Sequence, residues 1–130
     1  MPLDHHDLPA NVLEFLTERH LATLTTLRAD GSPHVVPVGF TFDPATLTAR
    51  IITSGRSAKA RHVREGQARV AVCQVEGRRW VTVEGTATVR DDAEAVAEAV
   101  DRYARRYRQP RENPARVAIE ISVDQILGNA

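Results

Sequence analysis

Residues 20–43 read HLATLTTLRADGSPHVVPVGFTFD, and the fold is decided here. Residues 20–27 are rich in β-branched side chains, which pack well on a pleated surface, and predict a strand. Asp30-Gly31, within Ala29-Asp30-Gly31-Ser32, is the pair that a tight hairpin asks for, because glycine accepts a positive φ without a steric penalty. Residues 33–42 return as a second strand. Pro37 has no N–H to give to a ladder, so it points to an edge or a bulge. Asp43-Pro44-Ala45-Thr46 turns the chain again, into a third strand over residues 47–53.

The same alternation of strand and tight turn runs outward from this stretch. Upstream, Pro9 suits the first turn of a short helix with Val12, Phe15, Leu16 and Arg19 on one face. Downstream, residues 58–65 predict a helix that Gly66 ends. Residues 68–75 form a fourth strand, and Glu76-Gly77 turns it into a fifth over residues 79–89. Asp91 opens the longest helix, with Ala93, Val96, Ala97, Val100, Tyr103, Ala104 and Tyr107 at helical spacing. Its acids Asp91, Asp92 and Glu94 and its bases Arg102, Arg105 and Arg106 match the two ends of the helix dipole. Residues 109–114 are a loop, and residues 116–123 a last strand. The expectation is a mainly β fold: six strands joined mostly by hairpins, hence antiparallel, with two or three peripheral helices. An open sheet of that size would leave two edges bare, so closure into a small barrel is expected. Residues 1–8 are expected to be a flexible tail, and residues 9–130 a single domain.

Composition removes several functions. The 17 basic and 17 acidic side chains cancel, against a nucleic-acid binder that works by bulk charge, and no helix-turn-helix pattern appears. No apolar run approaches the ~20 residues of a membrane span, and the N-terminal MPLDHHDLPA is polar, so a cytoplasmic protein is expected. Cys73 is the only cysteine, which excludes an internal disulfide, and its mid-strand position reads as a small buried hydrophobe. The histidines lack zinc spacing, so no metal site is expected.

The chemistry concentrates in residues 51–61, IITSGRSAKAR. A strand ends at Thr53, Gly55 lets the chain turn, and Ser57 stands where a helix N-cap belongs. Free N–H groups at a helix start, with the dipole behind them, attract an anion. Ser54, Arg56, Ser57, Lys59 and Arg61 surround that point with hydroxyls and cations. The plainer alternative is a capped surface helix with solvated bases. A second basic patch is Arg78-Arg79-Trp80. Adjacent strand residues point to opposite faces, so at most one arginine faces any one groove, and Trp80 either packs or covers a planar ring.

HLATLTTLRADGSPHVVPVGFTFD, ITSGRSAKARHV, RRWVTVEGTATV and RVAIEISVDQILG together resemble the pyridoxamine-phosphate-oxidase-like split-barrel superfamily, from Leu8 onward. Within it, the chain is most similar to the flavin/deazaflavin oxidoreductase branch that uses coenzyme F420. The resemblance implies a six-stranded split barrel and a homodimer with two cofactor sites at its interface. It implies that Val36, Pro37 and Val38 offer backbone to the cofactor ring. Thr53, Ser54, Ser57 and Lys59 would line the phosphate, with Arg56 in support, and Arg78, Arg79 and Trp80 would come from the partner subunit. The implied activity is hydride transfer from reduced F420 to a small conjugated substrate such as biliverdin. The alternatives are an FMN-dependent enzyme of the same fold or a non-catalytic cofactor carrier. FMN users of this superfamily usually carry a basic residue just before the lysine, and here that residue is Ala58.

Overall fold

The computed structural model describes residues 2–130. Its strands are β1 (Pro2–Leu3), β2 (Ala22–Leu27), β3 (Pro33–Val38), β4 (Thr41–Asp43), β5 (Thr48–Ser54), β6 (Gln67–Glu76), β7 (Arg79–Arg90) and β8 (Arg116–Asn129). Its helices are α1 (Ala10–Phe15), α2 (Ala58–Glu65) and α3 (Ala93–Arg106). All strand pairs are antiparallel, in the order β3-β2-β6-β7-β8-β5-β4, with β1 beside β8. The mainly β, antiparallel expectation holds.

Three corrections apply. Among the described residues there are eight strands, not six. The expected strand over residues 33–42 breaks at Gly39-Phe40 into β3 and β4, and these lie at opposite ends of the sheet. The other added strand is Pro2–Leu3, which pairs with Leu127 and Ile126, so this part of the expected tail is laid along β8. Second, the hydrogen-bonded path does not close into a ring. The covalent chain joins its two ends instead: only Gly39 and Phe40 separate β3 from β4, so these edges come within roughly 11 Å of each other. The sheet must therefore curl around its core. Third, the last strand runs on to Asn129, far past residue 123. Residues 118–122 pair with β7 on one edge and β5 on the other, and the added length continues the β7 ladder to Asn129.

The concave side of the curl holds Leu24, Phe40, Ile51, Val72, Val81, Val83, Ile119, Ile121 and Ile126, each at most 2% exposed. α1 contributes Val12 and Phe15 to this core. α3 starts one residue later than expected, with Asp92 accepting from the Ala95 N–H at 3.1 Å. Its buried residues are Ala95 and Ala99, whereas Ala93 and Ala97 of the expected stripe are exposed. Two small side chains let the helix backbone lie close to β4, β5 and β8. The same inward face continues one and two turns on as Arg102 and Arg106.

Arg106 ties the fold together. Its Nε donates to the Glu18 carbonyl at 2.9 Å, Nη1 to the Phe40 carbonyl at 2.5 Å, and Nη2 to the Gln74 side-chain oxygen. Gln74 is completely buried near the end of β6, and its Nε2 donates to the Phe15 carbonyl at 2.9 Å. Beside it, the Tyr107 hydroxyl donates to the His20 carbonyl at 2.6 Å and accepts from the Phe40 N–H at 3.2 Å. The two-residue crossing at Gly39-Phe40 is thus held from α3.

Cys73 also departs from expectation. It is half-exposed, because its register partners Thr23 and Thr82 place it on the convex side of the sheet. His34 and His62, far apart in sequence, meet edge to face with centroids 4.8 Å apart. His62 is buried, and its Nδ1 lies 2.9 Å from the Thr26 hydroxyl. Burial, helped by His34 and nearby arginines, pushes the His62 pKa down, so the ring is neutral near neutral pH.

Candidate functional site

The segment after β5 folds as its residues dictate. Gly55 donates its N–H to the Ala115 carbonyl at 2.8 Å, which anchors the turn. Ser57 caps α2, its hydroxyl accepting from the Ala60 N–H at 3.3 Å. The amides of Ala58 and Lys59, in the helix's first turn, have no intrahelical acceptor. Ser54 accepts from the Arg56 N–H at 3.4 Å.

In front of this helix start lies a cavity of about 320 Å³. One wall is Pro37, Val38 and Gly39 at the end of β3, and another is Ile52, Thr53 and Ser54 at the end of β5. Lys59 enters from α2, Tyr103 from α3, and Pro110, Asn113 and Arg116 from the loop before β8 and its first residue. The lining is apolar on one side and hydroxylic and cationic on the other, and it contains no carboxylate. Burial pushes the Lys59 ammonium below its usual pKa, and no neighbouring charge offsets this. A desolvated ammonium facing a cavity gains most from a ligand anion. That is the observation by which a phosphate-bearing cofactor fits here.

Of the expected site residues, Pro37, Val38, Thr53, Ser54 and Lys59 come together around this cavity. Val36 turns inward and packs against the core. Ser57 is occupied as a cap, and Arg56 is exposed on the turn outside the cavity wall. Arg78, Arg79 and Trp80 lie elsewhere in the chain. Arg79 grips Glu18 with two hydrogen bonds of 3.0 and 2.9 Å and lies 4.5 Å over the Phe15 ring. Arg79, with His20 in second place, holds the Glu18 carboxyl down to about 2. Arg78 is exposed beside Gly77, and Trp80 sits opposite Val75 on the convex face.

Gly39, Tyr103, Asn113 and Arg116 were not legible as site residues in the sequence. Tyr103 and Tyr107 crowd Gly39: a Cβ there would lie 3.0 to 3.2 Å from their rings. Arg116 is the cross-strand partner of Ser54, so only the β5–β8 register brings it to the phosphate side. Asn113 shapes the approach to β8, accepting from the Ala115 N–H at 3.0 Å on its side chain and from the Arg116 N–H at 3.0 Å on its carbonyl.

A curled antiparallel sheet with an anion-receptive cavity at a strand-to-helix junction defines a small β domain suited to a phosphate-bearing ligand. The chain belongs to the pyridoxamine 5'-phosphate oxidase family, which it matches over residues 8–130. It is 56% identical, over 124 residues, to an F420H(2)-dependent biliverdin reductase of Mycobacterium tuberculosis (strain CDC 1551 / Oshkosh), covering 95% of this chain and 89% of that protein. Among solved structures, a conserved hypothetical protein of M. tuberculosis superposes with a TM-score of 0.78 at 22% identity, over 94% of this chain and 84% of that one. An F420 reductase superposes with a TM-score of 0.74 at 22% identity, over 92% and 98%. These two likenesses concern the fold.

Among the described residues, no helix is long and apolar enough to cross a membrane.

Proposed function

We propose that this chain is a reductase dependent on reduced coenzyme F420, acting on a conjugated small molecule such as biliverdin. The 56% identity to a reductase of that description carries the reading. The cavity supports it chemically. Lys59, Arg116 and the first-turn amides of α2 would hold the phosphodiester, while Thr53 and Ser54 donate hydroxyls. Pro37 and Val38 would lie along the ring. The bound cofactor supplies the hydride from its own ring, so the protein's task is to place it and to shape the field around it.

The active unit in this proposal is a homodimer. The convex face of β3, β2, β6 and the start of β7 carries Val35, Pro37, Thr23, Thr25, Cys73, Val75 and Trp80, with Leu21 beside them. The Arg69–Glu84 pair borders this set beside Thr25, and Leu21, Val35 and Val75 are 66%, 56% and 60% exposed. An exposed apolar patch of this kind suits a second copy of the chain. Pro37 belongs both to this patch and to the cavity wall, so a partner seated there would close the site. Trp80 and Arg78 of a second copy would then border it.

Three outcomes follow. Mixed with F420H2 and biliverdin, the purified protein should oxidise the cofactor, read by its visible absorbance; a rate no higher than without protein removes the substrate assignment. Lys59→Ala should weaken F420 binding by about 1.5–3 kcal/mol, roughly 10- to 150-fold, the range for a charged hydrogen bond. Fluorescence titration measures this, with FMN as the competing ligand; tighter binding of FMN than of F420 would reverse the cofactor choice. Val75→Glu, on the exposed patch, should raise the dimer dissociation constant at least about tenfold in analytical ultracentrifugation. Cofactor affinity should fall with it, and a monomer that still binds fully would contradict the shared site.

A further inference from the structure

We propose that the groove between the end of α1, β4 and the second half of α3 binds a small organic carboxylate. This cavity, of about 220 Å³, shares no residue with the cavity at Lys59. Its floor is Leu16 and Phe42, and three arginines of α3, Arg102, Arg105 and Arg106, stand over it. Their spacing of three and four residues puts them on one side of the helix.

Of the three arginines, Arg106 alone has no carboxylate partner among the described residues. Arg102 pairs with Asp43 at 3.2 Å and with Glu98 at 3.3 Å. Arg105 reaches Asp101 at 2.7 Å, but both side chains are about two-thirds exposed, where such a pair holds weakly. Arg106 has only neutral acceptors: two backbone carbonyls and the Gln74 amide oxygen. No carboxylate lines the groove.

A second observation points to a ligand. Thr41 lines the groove, is 8% exposed, and its hydroxyl has no hydrogen-bond partner. A buried hydroxyl normally finds one. Arg50, its cross-strand partner on β5, keeps Nη1 buried without a hydrogen bond, while its Nε lies 3.9 Å from the Glu120 carboxylate. A buried hydroxyl without a partner thus stands beside three guanidinium groups in a lining that holds no carboxylate, which is the complement of an anion.

The form of the groove selects the anion. A guanidinium fork matches a planar carboxylate with two parallel hydrogen bonds. The apolar floor rewards a ligand that carries a short hydrocarbon or aromatic body behind its acid group. Free phosphate gains nothing from that floor. The volume admits a compact molecule and is below that of sites for larger ligands.

The test is a heteronuclear NMR titration of the full chain with sodium benzoate, and separately with sodium phosphate at matched ionic strength. Benzoate should shift the amides of Thr17, Thr41 and Phe42 saturably, with a Kd of roughly 1 mM, and leave residues 53–59 unmoved. Thr41→Val removes only a hydroxyl that bonds to nothing in the free protein. Its melting temperature should hold, while benzoate affinity falls at least about fivefold. Arg105→Gln, at an exposed position, should weaken binding by a similar factor. The proposal is overturned by the absence of saturation, by shifts centred on residues 53–59, by phosphate binding as tightly as benzoate, or by unchanged affinity in both variants.

Discussion

Gly85→Ala should destabilise the protein by about 3 kcal/mol or more, enough to remove much of the stability of a domain this size. At Gly85 the β7–β8 ladder changes register: Glu84 faces Gln125 and Gly85 faces Val123, so Asp124 is skipped. The irregularity brings β8 against β7. A Cβ on residue 85 would lie 2.0 Å from the Ser122 carbonyl oxygen and 2.7 Å from its carbon. These are backbone atoms in the middle of the longest strand pair, so no side chain can swing aside. Alanine would lower the entropy of the unfolded chain, worth about 0.4–1 kcal/mol in its favour, but the clash exceeds that several-fold. Urea denaturation of the variant measures the loss, with exposed Thr86→Ala as a neighbour expected to change little. A loss below about 1 kcal/mol would mean that β8 shifts freely at this point.

Arg106→Ala should cost about 3–5 kcal/mol. The side chain supplies three donors at once, to the Glu18 and Phe40 carbonyls and to Gln74. Removing it strands the oxygen of a fully buried glutamine, takes the donor from the Glu18 carbonyl and leaves the Phe40 carbonyl only the Tyr107 hydroxyl at 3.3 Å, and an unmet buried acceptor costs about 1–3 kcal/mol. The guanidinium also lies 5.0 Å over the Phe40 ring, so contact is lost besides hydrogen bonds. Arg106→Lys separates the contributions. It keeps the charge and most of the stem but cannot span three acceptors, so it should recover only part of the loss in thermal melts. Full recovery would show that charge alone matters. Because Phe40 lies in the crossing between β3 and β4, the alanine variant should also loosen the Gly39 side of the Lys59 cavity.

Much of the candidate site's geometry was legible because it is local. Ser57 as a cap and Ala58–Glu65 as the helix follow from side chains within a few positions of one another, and Gly66 ends the helix as expected. Lys59 and the hydroxyls of Thr53 and Ser54 lie on either side of that short turn, so their meeting needed no distant information. Tyr103 and Arg116 arrive from 44 and 57 residues beyond Lys59. Their place at the cavity depends on the β5–β8 pairing and on how α3 lies across the sheet. The arginines of α3 show the limit most directly. From the sequence, Arg102 and Arg106 read as charges at the negative end of a helix dipole. In the structure they lie on its inward face, because Ala95 and Ala99 are small enough for the helix to approach the sheet.

The sequence by itself determined the antiparallel β character, the turns at Asp30-Gly31 and Glu76-Gly77, and the anion-ready start of α2. Each rests on backbone preferences and hydrogen bonds that close within a few residues. Only the tertiary structure decided that residues 33–42 are two strands at opposite ends of one sheet. It also decided which arginines are consumed by the fold and which face a cavity. Burial and pairing are set by strand register, and register depends on where the whole sheet can bury its apolar side while leaving no donor or acceptor stranded.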